Sequence, residues 1–313
     1  MSYCAFGYRL ESDRPLPELP TIADEAAPHF TILWCDSLPI PDTLSWTLVW
    51  PELQSEPQVA FARDARYRYL RFENCASVRM TDAQIEIATL SGDAPSVRHL
   101  LLDFILPLAL ASGGETVLHG SAVDVDGHAL VFIGDAGSGK STIAAALAAH
   151  GATVLADDGV LLQPRDDGAY AVPSYPGLRL WPDAARRART RGFSTMPIAS
   201  GSRKRRLVPS AGVAGAAVLP VAGVYCLRIG DGAPVFHRLS TRDAALEVIR
   251  HAFTPDVFGR TALLSHLDRA EYWARRLDMW TITAGRDLSA LDSLARRVTG
   301  HAAGLAARRI DSR

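Results

Sequence analysis

Residues 134–141 read Gly-Asp-Ala-Gly-Ser-Gly-Lys-Ser, directly after the apolar run 129–133 and directly before an alanine-rich run that ends at His150 and Gly151. The glycines open positive-φ conformations that other residues enter only at a cost, so this loop can turn successive N–H groups toward one point. Alanine-rich composition closed by glycine predicts a helix over 141–150. Inward N–H groups at a helix N-terminus form an anion site, and the pattern G-x-x-x-x-G-K-[ST] is met in full. Its chemistry is that of a polyphosphate held by Gly134, Asp135, Ala136, Gly137, Ser138, Gly139, Lys140, Ser141 and Thr142. Lys140 reaches the β- and γ-phosphates, and Ser141 offers a hydroxyl to Mg²⁺.

Around this loop the chain alternates strands and helices. Runs 116–119, 122–125 and 129–133 read as strands, with Asp126-Gly127 as a tight turn between the last two. Run 153–156 is a further buried-type strand. Strands are expected again at 223–229, near 235–239 after a hairpin-like Gly230-Asp231-Gly232, and at 279–282; helices are expected from 241 or 242 to 251 and over 288–298. The order strand, loop, helix, strand predicts an α/β fold around a P-loop core. Residues 306–313 are polar and read as a fraying tail.

Upstream the grammar differs. Runs 30–34, 46–50, 65–72 and 84–90 are aromatic or β-branched and broken by Pro, Asp and Ser, which predicts a smaller β-rich domain. A helix capped by Ser96 is expected to run to Gly113-Gly114, with Pro107 as a kink or early end. The resulting division is residues 1–94 as a β-rich accessory or substrate-recognition domain and 95–313 as the P-loop domain, within what 313 residues accommodate.

Asp157-Asp158 closes the apolar strand that follows the loop helix. Carboxylates at such a strand end can hold Mg²⁺, and two adjacent ones allow one to serve the metal while the other accepts the proton of an attacking hydroxyl. If the strands lie side by side, His119 stands beside the loop and can orient the pair. A third cluster is basic: Arg186, Arg187, Arg189 and Arg191, then Arg203, Lys204, Arg205 and Arg206 in Gly/Ser/Pro surroundings that read as a loop able to clamp phosphates or an acidic peptide.

Bulk properties exclude other classes. A net charge of −1 gives no general attraction to nucleic acid or anionic membrane. The apolar stretch 100–111, interrupted by Asp103 and Pro107, is too short to span a bilayer. The start lacks a basic-then-apolar leader, and Cys4, Cys35, Cys75 and Cys226 lack metal-like spacing, so buried free thiols and a cytoplasmic location are expected.

Three elements, Leu118-His119-Gly120-Ser121-Ala122-Val123, the loop 134–141 and Ala156-Asp157-Asp158, resemble the C-terminal catalytic domain of HPr serine kinase/phosphorylase, whose P-loop core is shared with ATP-dependent phosphoenolpyruvate carboxykinases. The resemblance is close over about residues 115–165. It implies an ATP- and Mg²⁺-dependent kinase acting on a serine of a protein or peptide, with Asp157 as catalytic base, His119 positioning it, Ser141 and Asp158 on Mg²⁺, and Lys140 on the triphosphate. The segment around Arg179 (residues 175–183) matches a region where that family carries a metal-binding glutamate, and here it has none. Phe6-Gly7-Tyr8-Arg9-Leu10, Pro15-Leu16-Pro17-Glu18-Leu19 and the segment 176–182 are similar to HPr-kinase-related proteins of peptide-tailoring systems, among them kinases of the C-terminal serine of lasso-peptide precursors. That implies such a peptide as the acceptor, and the hexameric state of HPr kinases raises a homo-oligomer as an open expectation. Two other readings stay open: a nucleotide-binding regulatory protein without transfer, and a small-molecule kinase.

Overall fold

The computed structural model describes residues 1–23, 26–50, 58–90, 94–175, 177–189, 193–197, 205–209, 217–253, 260–285 and 287–311. Arg191, Arg203 and Lys204 of the basic cluster lie outside them. The architecture is mixed α/β, with an eight-stranded sheet, a nine-stranded sheet and a three-stranded sheet.

The first sheet contains Ser2–Ala5, Tyr8–Ser12, Phe30–Cys35, Gln84–Thr89, Ala76–Met80, Arg68–Phe72, Val59–Arg63 and Thr47–Trp50 in that spatial order. Its alternation is that of a one-sided sheet: Phe30, Ile32 and Trp34 are buried and the residues between them are not. Helix Ala94–Ser112 supplies the opposing apolar surface, because Val97, Leu101, Leu102, Ile105 and Leu108 share one buried cluster with the sheet. That cluster also takes in Val117, Leu161, Val172 and Phe253, so the apolar packing runs on into the following part of the chain.

Pro107 does not end this helix. The turn before it widens into a π segment, Leu101–Ile105, in which the Leu106 N–H bonds to the Leu101 carbonyl. A proline has no N–H to give and its ring crowds the carbonyl four residues back, and the wider turn accommodates both defects. The helix is therefore longer than the apolar stretch suggested. By length and composition it is the one candidate membrane span among the described residues, and 61% of its apolar window is buried inside the molecule.

The second sheet orders Thr153–Ala156, Gly120–Val125, His128–Ile133, Leu219–Ile229, Gly168–Val172, Val160–Arg165 and Thr116–Leu118, with Met279–Ala284 and Val235–Arg238 added beyond Leu219–Ile229. The Asp126-Gly127 turn has both residues at positive φ, the type I′ geometry that suits a two-residue hairpin. Helix Lys140–Ala149 follows His128–Ile133 and buries Ile143, Ala144 and Leu147 against this sheet.

Several expectations need correction. Strands Leu219–Ile229 and Val235–Arg238 do not form a hairpin, since Met279–Ala284 lies between them, parallel to the first and antiparallel to the second. The polar tail is helical through Asp311, in one helix that begins at Leu291, because Ala295, Val298, Ala302 and Leu305 give it a buried stripe. Arg205 and Arg206 belong to strand Arg205–Pro209, paired with Leu178–Leu180 and Phe193–Pro197, and are not in a loop. All four cysteines are free, but only Cys226 is buried. The 17-residue helix Arg260–Arg276 is an element beyond those expected from the sequence.

One contact joins the N-terminal hairpin to the strand end that carries the two aspartates. Phe6, in the turn between the first two strands, holds φ of 53° and is buried. A Cβ at Gly159 would sit 3.1 Å from the Phe6 ring, so the ring fills the space that the missing side chain leaves. Phe6→Ala is expected to cost about 3–5 kcal/mol in urea unfolding of the full chain. A loss below about 1 kcal/mol would mean that this hairpin does not hold the site in place.

Candidate functional site

The loop 134–139 leaves strand His128–Ile133 and enters helix Lys140–Ala149 with Gly134, Gly137 and Gly139 at φ of 145°, 77° and 100°. Gly134 is required twice over. Besides its φ, a Cβ there would lie 2.8 Å from the Leu227 carbonyl oxygen and 2.8 Å from Ser138 Oγ. At Gly137 and Gly139 a Cβ would meet nothing within 4 Å, so the loop opens onto free space on that side. The Lys140 ammonium folds back along the loop and donates to the carbonyls of Gly134 (2.7 Å) and Asp135 (3.2 Å). Ser138 Oγ is buried with no hydrogen-bond partner among the described residues.

Strand Thr153–Ala156 pairs with Gly120–Val125, which in turn pairs with His128–Ile133, and this register brings three distant segments to one end of the sheet. Asp157 is there, 3% exposed. Its Oδ1 accepts from Ser121 Oγ (2.5 Å) and Ser141 Oγ (2.9 Å), and its Oδ2 accepts from the Arg179 N–H (2.8 Å). Burial, then the neighbouring Asp158 charge, push the Asp157 carboxyl well above the ordinary carboxylate value, against the opposing pull of Ser121 and Arg179. Asp158 follows in the left-handed region, φ 61°, which a short polar side chain tolerates.

His119 is half-buried at the end of Thr116–Leu118. Its Nδ1 lies 3.1 Å from the Asp158 carbonyl oxygen, and since a carbonyl only accepts, Nδ1 carries the proton and Nε2 keeps its lone pair. Burial, then the Lys140 charge, pull this imidazole down to about 4. His119 is therefore neutral near pH 7 and fixes the backbone of the Asp pair.

Arg179 is not directed at the loop. Its guanidinium pairs with Asp158, with Asp103 (3.0 Å) and with the His99 ring (2.6 Å). Exposures of 11% for Arg179, 8% for Asp103 and 13% for Asp158 make this a buried ion network. Burial acts to lower the Arg179 pKa, but Asp103 and Asp158 outweigh it and hold the guanidinium above its ordinary value. Asp103 belongs to the π segment, so the irregular turn before Pro107 is the turn that presents a carboxylate to the site. Arg206 is equally committed: its guanidinium lies 4.9 Å from the Tyr175 ring and 3.4 Å from the Glu18 carbonyl. Arg205 is exposed, and Arg186 pairs with Asp183 on an exposed helical turn.

The residues brought together are thus His119, Ser121, the loop with Lys140 and Ser141, Asp157, Asp158 and Arg179. Ser121, Asp103 and His99 were not singled out from sequence. An acid inside an apolar helix four residues before a proline is the signal that marks Asp103. The Ser141 hydroxyl, at the start of the loop helix, bonds to Asp157 Oδ1. As a donor set, the site suits a hard cation shared with phosphates. It offers a serine hydroxyl and carboxylate oxygens, while no group of three or more His, Cys, Asp or Glu among the described residues could cage a metal unaided. The open glycine cradle and the orphaned Ser138 hydroxyl fit an anion on the loop.

No protein-family model matches the chain, and no curated protein matches it. Among solved structures it is similar to the Hpr(Ser) kinase/phosphatase from Coxiella burnetii, with 10% identity and a TM-score of 0.30, over 59% of this chain and 95% of that one. A likeness at this level assigns no activity to the present chain.

Two measurements test the site's electrostatics. Arg179→Met leaves two buried carboxylates facing each other and should cost about 3–5 kcal/mol, part of it recovered by adding Asp103→Leu. If the single substitution costs under about 1 kcal/mol, the network is solvated. The second is stability against pH in the apo chain with a chelator present. His119 has a lowered folded-state pKa, so between pH 6.5 and about 4 the unfolded chain binds the extra proton and stability is lost as pH falls. Asp157 has a raised one, so there the folded chain binds the extra proton and stability is gained as pH falls. The two oppose each other in the wild type. Relative to it, Asp157→Asn should lose stability on acidification across that window and His119→Gln should gain it. Equal slopes for all three chains would remove both assignments.

Proposed function

We propose that this chain is an ATP- and Mg²⁺-dependent phosphotransferase of the cytoplasm that delivers the γ-phosphate to a serine hydroxyl of a protein or peptide. The observation that carries the reading is the 2.9 Å hydrogen bond from Ser141 Oγ to Asp157, which joins the glycine loop and the carboxylate pair in a single site. The loop amides and Lys140 hold the triphosphate. Ser141, oriented by Asp157 Oδ1, and Asp158, once released by Arg179, would hold Mg²⁺ together with the phosphates. Bound Mg²⁺ supplies charge neutralisation on the phosphate oxygens.

Asp157 takes the proton of the acceptor hydroxyl at Oδ2, which accepts one hydrogen bond from Arg179 and retains a second lone pair. Its burial-raised proton affinity suits a base working near neutral pH. His119 keeps the Asp158 backbone in place through Nδ1–H. The division at 94/95 into an accessory domain and a kinase domain is part of this proposal, as is the C-terminal serine of a lasso-peptide precursor as the acceptor. A nucleotide-binding regulatory protein without transfer is the second reading, favoured by the hold of Arg179 on Asp158.

Transfer of label from γ-labelled ATP with Mg²⁺ to HPr, to serine-ended precursor peptides and to free serine separates these readings. One acceptor should be labelled. Asp157→Asn should lower the rate by about 10²–10⁴ with nucleotide binding retained, and Lys140→Ala should weaken binding itself. Nucleotide binding with no label on any acceptor favours the regulatory reading, and a wild-type rate in Asp157→Asn removes the base assignment.

A further inference from the structure

A second charged cluster adjoins the glycine loop at Asp135 and takes no part in the chemistry above. Glu247, 6% exposed in helix Thr241–His251, is its centre. The carboxylate pairs with Arg228, with His251 Nε2 at 3.2 Å and with Arg250 at 3.7 Å. Arg250 then reaches the loop itself, its Nη2 lying 3.2 Å from Asp135 Oδ1. The helix end that presents Arg250 is fixed. The His119 N–H donates to the His251 carbonyl and the Phe253 N–H to the Val117 carbonyl, which ties residues 251–253 to strand Thr116–Leu118.

Position on the loop decides what Arg250 can touch. In a loop of this pattern the lysine ammonium marks the β/γ end of a bound polyphosphate. Here that ammonium sits on the carbonyls of Gly134 and Asp135, and Asp135 is the residue whose carboxylate Arg250 holds. Both side chains of that outer pair are at least half exposed, 50% for Arg250 and 64% for Asp135. An exposed pair of this kind contributes little to stability, so it exchanges readily for another anion. A planar guanidinium is well suited to phosphate oxygens. Asp135, in contrast, places a negative charge where the terminal phosphate arrives.

We propose that Arg250 reads the terminal phosphate of a nucleoside triphosphate, leaving Asp135 for the γ-phosphate oxygens when the loop is filled, while Glu247, held by Arg228 and His251, keeps it within reach. This rests on the nucleotide reading of the loop given above and adds the residue that distinguishes triphosphate from diphosphate. Arg250 is a binding residue in this role, and no bond is made or broken.

Calorimetric titration of the full chain with ATP and with ADP, each with Mg²⁺, provides the test. The wild type should bind ATP more tightly than ADP. Arg250→Gln should reduce that ratio by roughly tenfold or more, through ATP alone, with the thermal midpoint unchanged. Asp135→Asn should increase the ratio, because the competing carboxylate is gone. An unchanged ratio in Arg250→Gln overturns the proposal and leaves the nucleotide reading intact, as does equal weakening of ATP and ADP, which marks a loop-shaping role. Wild-type chain that binds neither nucleotide overturns both, and Lys140→Ala, expected to weaken both, is the control that separates loop failure from loss of γ-phosphate recognition.

Discussion

A guanidinium between carboxylates, almost without water, is the contact on which the arrangement of the site depends. Arg179 touches Asp158 and Asp103 and passes its backbone N–H to Asp157, so three segments far apart in sequence meet on one residue. Neither acid is cheap to bury alone, and the arginine less so. Together they fix the distance between helix Ala94–Ser112 and the strand end that carries the aspartates. The π segment is part of the same constraint. A regular α-turn through Leu101–Ile105 would have to face both the missing N–H of Pro107 and its ring. The wider turn avoids both and, in this chain, is where Asp103 meets Arg179.

The first sheet is bound to the site by the same logic in apolar form. Phe6 lies against Gly159, one residue past Asp158, and Arg206 spans from Tyr175 to the carbonyl of Glu18. The pairing of Arg98 with Glu18 at 3.0 Å adds a further tie between the N-terminal segment and the helix. A substitution in the first 20 residues can therefore reach the aspartate pair through packing, with no side chain of that segment in the loop.

What was legible in the sequence was what depends on local rules. The glycine loop, the helix after it, the Asp126-Gly127 turn and the strand before Asp157 all follow from composition and spacing within about 25 residues. His119 does stand by the Asp pair, but not by the expected route: strand Thr116–Leu118 pairs with Val160–Arg165, which follows the aspartates, and not with Gly120–Val125. The misses share a cause. Arg205 and Arg206 read as a loop because their neighbours are Gly, Ser and Pro, yet strand Leu178–Leu180 offers an open edge that pairs with them. Gly230-Asp231-Gly232 reads as a hairpin turn, but whether a third strand enters between its arms is decided by Met279–Ala284, some fifty residues on. Ser121 and Glu247 are each an ordinary residue in an ordinary run, and their importance arises only from partners brought in by the fold.

The charges around the loop are matched by groups of the chain itself, and this bears on how any anion can bind. Lys140 is satisfied by two carbonyls, Arg250 by two carboxylates, and Arg179 by Asp158 and Asp103. Among the described residues no strong uncompensated cation waits in the cradle, and with a net charge of −1 attraction at long range is weak. Selectivity then comes from exchange at short range. A ligand is favoured to the extent that it offers the lysine and arginine better acceptors than the ones they hold. Backbone carbonyls and one exposed carboxylate are weak competitors with a phosphate; the buried pair between Arg179 and Asp158 is a strong one. The loop side of the site is thus set to yield to a polyanion, while the aspartate side keeps its geometry until something replaces Arg179.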